Sequence, residues 1–193
     1  MFYQLGILII RHKRGGMIEK QYQTFWPRVG ASFIDTAIFY PFDLIARLVI
    51  YTLHPSLFLI IFWDQFYTWA WVAYSVLMHG YKGQTLGKMV CKVRVLDITE
   101  NKLSLSQAFM RDIVLIISNF IFSLYILFNS SIYIKLVTSN NFIEDFSAFP
   151  IWFRVLAMMS FIWTLLEIIT MLTNKKRRAI HDFIAGSVVK REA

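Results

Sequence analysis

LFLIIFWDQFYTWAWVAYSVLMH, residues 57–79, carries one acid, Asp64, and no lysine or arginine. A helix rising about 1.5 Å per residue needs ~20 such residues to cross a hydrocarbon core of ~30 Å, so this stretch predicts a membrane span. Toward the N-terminus, His54-Pro55-Ser56 reads as a tight outer turn. Beyond it, VGASFIDTAIFYPFDLIARLVIYT at 29–52 predicts another span, with Pro41 expected to kink it near its middle. Toward the C-terminus, IVLIISNFIFSLYILFNSSIYI at 113–134 and IWFRVLAMMSFIWTLLEIITMLT at 151–173 repeat the pattern. Trp26 and Trp152 fall where aromatic rings anchor at the lipid–water boundary. The predicted fold class is all-α, a polytopic membrane bundle of four transmembrane helices.

Composition agrees. The 193 residues are 57% apolar and 17% charged, against about 45–50% and about 25% for soluble domains. The net charge of +8 finds its explanation in topology. Residues 1–28 hold five Lys/Arg, 80–111 hold six and 174–193 hold six, which is 17 of the 20. The turn at 53–56 holds none, and the loop at 135–150 holds only Lys135, opposed by Glu144 and Asp145. Basic residues thus recur on one side of a four-crossing chain, which by the positive-inside rule predicts both termini in the cytoplasm. This accounts for the charge without nucleic acid. The single cysteine, Cys91, and four scattered histidines form no metal motif. Phosphate-binding glycine loops and recognisable nucleophile settings are absent, so the expectation is no enzyme, no cofactor and no bound metal.

Residues 1–16, MFYQLGILII followed by RHKRGG, are too short to span, and their charge follows the apolar run, the reverse of a signal peptide. Two readings stay open: a short interfacial segment, or a leader ahead of a true start at Met17. The expected organisation is therefore 1–23 as leader or interfacial segment and 24–190 as one transmembrane domain.

The segment 80–111 between the second and third spans is expected in the cytoplasm. QTLGKMVCKV reads as an amphipathic helix on the membrane surface, with Lys88 and Lys92 at i,i+4 on one face. VRVLD alternates like a short strand, and Ser104–Gln107 fits a capping box opening the third helix. Gly80, Gly83 and Gly87 permit tight turns or close backbone approach. Lys88, Lys92, Lys175, Lys176, Arg177 and Arg178 are candidate contacts for anionic lipid headgroups.

Three motifs stand together: PRVGASFID opening the first helix, GQTLGKMVCKVRVLD after the second and KKRRAIHDFIAGSVV after the fourth. The arrangement resembles the RDD family, named for one arginine and two aspartates, matched here by Arg28, Asp35 and Asp182. The resemblance covers about 24–190. Gly186-Ser187 stands where Gly-Thr is usual, keeping a hydroxyl; the long outer loop and the pair Asp64 and Glu167 lie outside the signature. The resemblance implies transmembrane helices around a polar interior, cation/proton exchange in some members, and a bacterial cytoplasmic membrane.

Ionisable groups in a bilayer cost roughly 2.5–3.5 kcal/mol at a helix centre and tend to face the bundle interior in pairs. Arg28 and Asp35, seven residues apart, share one helix face but stand ~10 Å apart along it. Asp182 is expected to reach Arg28 from the cytoplasmic side, leaving Arg28 bracketed by Asp35 and Asp182. Asp35 and Glu167 both lie ~9 Å from the inner surface, with Asn119 adding a polar group near that layer. Asp43, Arg47, Asp64 and Arg154 form a mixed layer farther out, where Asp43 and Arg47 can pair at i,i+4. Two functions follow. In one, Asp35, Asp43, Asp64 and Glu167 form a cation or proton pathway, and so short a chain would conduct as a homo-oligomer. In the other, the charges lock helix packing and the chain serves as a scaffold or binds a membrane-protein partner through its basic segments.

Overall fold

The computed structural model of the chain describes residues 20–53, 56–130 and 149–192. The N-terminal leader or interfacial segment up to residue 19, the His54-Pro55 part of the outer turn, and the end of the third apolar run with the outer loop (131–148) lie outside the described residues. The chain is mostly helical, as expected. Helix α1 spans Phe25–Leu53, α2 Leu57–Lys82, α3 Leu86–Val90, α4 Leu105–Arg111, α5 Ile113–Phe128, α6 Ile151–Thr173 and α7 Ile180–Ile184. Strands β1 (Val93–Asp97) and β2 (Ser187–Arg191) complete the described elements.

The apolar runs become the long helices. Helix α6 has the bounds that its run predicts, and α1 passes unbroken through Pro41. Helix α6 is long and apolar enough to cross a membrane alone, with 6% of its most apolar stretch buried; α4 and α5 qualify together if read as one broken span. Helix α1 carries Arg28, Asp35, Asp43 and Arg47, and α2 owes much of its apolar character to Trp and Tyr. By length and composition, one helix among the described residues, or two if the bent pair is one span, is apolar enough to cross a membrane.

Two compact units share the long helices. One holds 20–36, Val76–Arg111 and 167–192 of the described residues. Its centre is the antiparallel pair β1–β2, in register Val93↔Arg191 through Asp97↔Ser187. Alternation in VRVLD puts Val93 and Val95 inward, where they pack with Leu103, Ala108 and Val189; Val76 and Cys91 close the cluster. The strand expected at VRVLD is present, and its partner comes from the C-terminal tail. Gly83 ends α2 with φ +71° and brings its carbonyl to the Val95 N–H at 2.8 Å. A side chain there would meet the Val95 carbonyl oxygen at 2.9 Å, so glycine is required for both conformation and space.

Two local expectations need correction. The amphipathic helix expected over QTLGKMVCKV shrinks to the five residues of α3, capped by Thr85, and Lys92 stands outside it with φ +52°. Lys88 and Lys92 therefore share no helix face; the reason is that Val93 must enter the sheet. The Ser104–Gln107 box is real, with the Gln107 N–H donating to Ser104 Oγ at 3.2 Å and the Ser104 N–H to Gln107 Oε1 at 3.1 Å. It opens α4, however, and the helix of the third apolar run begins anew after Asp112.

The other unit holds Ala37–Ser75, 112–130 and 149–166 of the described residues. Aromatic rings fill it: Tyr125 packs on Phe149, Trp152 and Phe153 at 5.1–5.7 Å between centroids, and Phe39 lies edge-on to Trp71. Such pairs add to area burial at the geometries seen here.

Candidate functional site

Asp182 is the centre of the first unit's polar interior. It lies at the third position of α7, after the chain has left α6 and turned through Asn174, which accepts from the Arg178 N–H at 2.8 Å. Its Oδ2 accepts from the Ala179 N–H at 3.0 Å, the return half of a capping box, and Oδ1 accepts from Ser187 Oγ at 3.1 Å. The hydroxyl that the GS/GT substitution preserves is thus used. Arg28 Nη1 donates to Oδ2 at 2.6 Å, and Arg111 Nη1 stands 3.1 Å from Oδ1. Asp182 is fully buried, and both arginine side chains are more than nine-tenths buried. Burial alone would raise the carboxyl's pKa; the charges of Arg111 and Arg28, with the Ala179 N–H, overcome it and hold Asp182 well below the usual carboxylate range.

His181 extends the cluster. Its Nε2 lies 2.9 Å from Arg111 Nη2, and its Nδ1 lies 2.6 Å from Glu167 Oε1. A guanidinium can only donate, so Nε2 accepts and the ring proton sits on Nδ1, donating to Glu167. Glu167 is therefore an anchor for α7 on α6, and the inner acidic layer expected from depth is divided between two different tasks.

Asp35 does the second task. It is buried, and its Oδ2 accepts from Thr85 Oγ1 at 2.6 Å while Oδ1 accepts from the Gly87 N–H at 2.7 Å. The carboxylate thus fastens the N-terminal turn of α3 to α1, where a negative charge is favourable. The backbones approach so closely that a Cβ on Gly87 would lie 2.0 Å from the Ala31 carbonyl oxygen. The bracket expected around Arg28 is accordingly half right: Asp182 is there, and Arg111 completes the second side of Asp182.

In the other unit, Arg47 Nε binds Asp43 Oδ2 at 2.9 Å and Arg47 Nη2 binds Asp64 Oδ1 at 2.6 Å, while Trp63 Nε1 donates to Asp43 Oδ1 at 2.9 Å. The i,i+4 pair is present and gains Asp64 as a third member. Asn119 lines a separate cavity of about 210 Å³ with Ser118, Phe122, Phe153 and Ser160.

The candidate lipid contacts divide. Lys92, Lys175 and Lys176 are exposed. Lys88 is half-buried and meets His79 Nε2. Arg177 Nη1 donates to the Leu172 carbonyl at 2.5 Å. Arg178 donates to the carbonyls of Ser187 and Asp182, each at 2.9 Å, and stacks on Phe183 at 4.0 Å, so it serves as a clamp on the C-terminal segment. Among the described residues no group of three or more His, Cys, Asp or Glu is placed to hold a metal ion.

Sequence reasoning missed Arg111 and His181. Arg111 was legible as the last residue of a capped helix, but in a basic loop it read as a topology determinant.

No curated protein and no solved structure matches the chain. The family model described as "RDD family" matches residues 22–186, which include Arg28, Asp35, Arg111 and Asp182. The chain belongs to the RDD family, a family of membrane proteins.

Proposed function

We propose that the chain is a multi-pass module of the bacterial cytoplasmic membrane, four crossings with both termini inside, and that it acts as a non-enzymatic, non-conducting scaffold presenting its basic cytoplasmic segments to partners. The observation that carries this reading is that every carboxylate offered as a pathway group already holds a fixed partner. Asp35 holds the turn of α3, Asp43 and Asp64 hold Arg47, and Glu167 holds His181. A relay must release and regain protons or cations, and each release here would break a fixed pairing, at about 1–3 kcal/mol where a buried group is left unsatisfied. The four-crossing topology rests on the spacing of the apolar runs and the placement of basic residues.

A second reading, cation/proton exchange, draws support from the Glu167–His181 pair, whose histidine lines a cavity. Proteoliposomes separate the two. The scaffold reading expects proton and cation flux equal to that of empty vesicles under an imposed gradient. Flux that disappears in Asp35→Asn or Glu167→Gln would overturn it.

A further inference from the structure

A cavity of about 420 Å³ lies in the first unit, within the size range of small-ligand sites. Arg28, Lys88, Arg111 and His181 line it, and no acidic residue does. The carboxylates stand behind this lining. Asp182 serves both guanidiniums and Glu167 holds His181, so the excess of positive charge is local to the cavity wall. Arg28 also keeps two buried nitrogens, Nε and Nη2, with no hydrogen-bond partner. Those nitrogens carry three N–H protons, and leaving charged donors unsatisfied away from water is costly. The rest of the wall is Val29, Phe33 and Met171, with Ser32 and Thr36.

We propose that this cavity binds a phosphate-bearing anion through Arg28 and Arg111, with Lys88 at its rim and Val29, Phe33 and Met171 against an adjoining apolar portion. A tetrahedral phosphate offers several acceptor oxygens, and guanidinium forks match them in pairs. An anion there meets that positive wall and supplies acceptors for the orphaned Arg28 donors. The chemistry is shared by two sources, a phospholipid headgroup and a free phosphate compound. The proposal goes beyond the scaffold reading and is tested by binding, so flux results leave it untouched.

The test uses the full chain, delipidated in detergent. Native mass spectrometry counts phosphatidic acid retained against phosphatidylcholine, and thermal unfolding is followed in inorganic phosphate against chloride at equal ionic strength. Two variants leave the Asp182 ion pairs in place. Ser32→Phe fills the cavity from an exposed position on its wall, and Lys88→Gln removes one rim charge. Selective retention of phosphatidic acid is expected, lost at least about tenfold in Ser32→Phe and weakened about fivefold in Lys88→Gln, the worth of one basic residue near a headgroup. Stabilisation by inorganic phosphate that Ser32→Phe abolishes, without lipid selectivity, assigns the site to a soluble phosphate. Absence of both effects, or effects that survive both variants, overturns the proposal.

Discussion

The two polar clusters of this chain are opposites in composition. In the first unit one carboxylate, Asp182, is shared by two arginines; in the second one arginine, Arg47, is shared by two carboxylates, Asp43 and Asp64. They differ as much in reach. Arg28 and Asp182 lie 154 positions apart, whereas Arg47 and Asp43 lie four apart on one helix. They differ also in burial: the Arg28 and Asp182 side chains are 8% and 0% exposed, while the Arg47 side chain is 34% exposed. The lesson is that the first cluster holds the tertiary structure of its unit together, and the second trims the charge of helices already formed.

Several substitutions sharpen or break that contrast. The largest loss is expected for Asp182→Asn, which leaves two buried guanidiniums sharing no carboxylate. A cost of about 3–5 kcal/mol fits the removal of one member of a buried ion pair, read as loss of accumulation in the membrane and a lowered unfolding temperature in detergent. Next comes Gly87→Ala. Its new Cβ would collide with backbone, the Ala31 carbonyl, so α3 must move from α1 and weaken the Asp35 contacts. About 1–3 kcal/mol is expected for such overpacking, and unchanged thermal stability would show that the close approach is dispensable. Arg47→Gln should cost less than Asp182→Asn, about 1–3 kcal/mol, because the buried Asp43 and Asp64 lose a charged partner while the glutamine amide still offers them a donor. A loss as large as that of Asp182→Asn would erase the distinction between the clusters.

The smallest effect concerns the edge of the first unit and is visible in pH. Tyr22 is buried, and its hydroxyl donates to Glu100, which also pairs with Lys190. Burial, the Glu100 hydrogen bond and its charge push the phenol up to about 12. The fold thus favours the neutral phenol. Its contribution is complete below the free phenol value of about 10 and is lost as pH rises through about 12. Tyrosinate absorbance should show a late-titrating component that Tyr22→Phe removes, with a stability loss of at most about 1.5 kcal/mol.

The helices were legible because lipid demands long apolar runs, and α6 needed nothing else. The sheet was half legible. VRVLD alternates, but SVVKR buries its first three residues and shows no alternation, and it pairs with a strand over ninety positions away. The Asp182 site was visible as Arg28 with Asp182 through the family signature, whereas Arg111 and His181 enter it only through tertiary packing. Asp35 was legible as important and misplaced in role. Its partners are a threonine hydroxyl and a backbone N–H, groups that no charge pattern announces. Gly87 was the available signal, since a glycine needed for close approach implies something closely approached.

The central claim, that Arg28 and Asp182 form one buried unit across the length of the chain, is tested most directly by a double-mutant cycle in detergent. Arg28→Gln, Asp182→Asn and their combination are compared by thermal unfolding. The double variant should be no less stable than Asp182→Asn alone, giving a coupling of about 2–3 kcal/mol. Losses that simply add would show that the two side chains act separately, and would contradict the account.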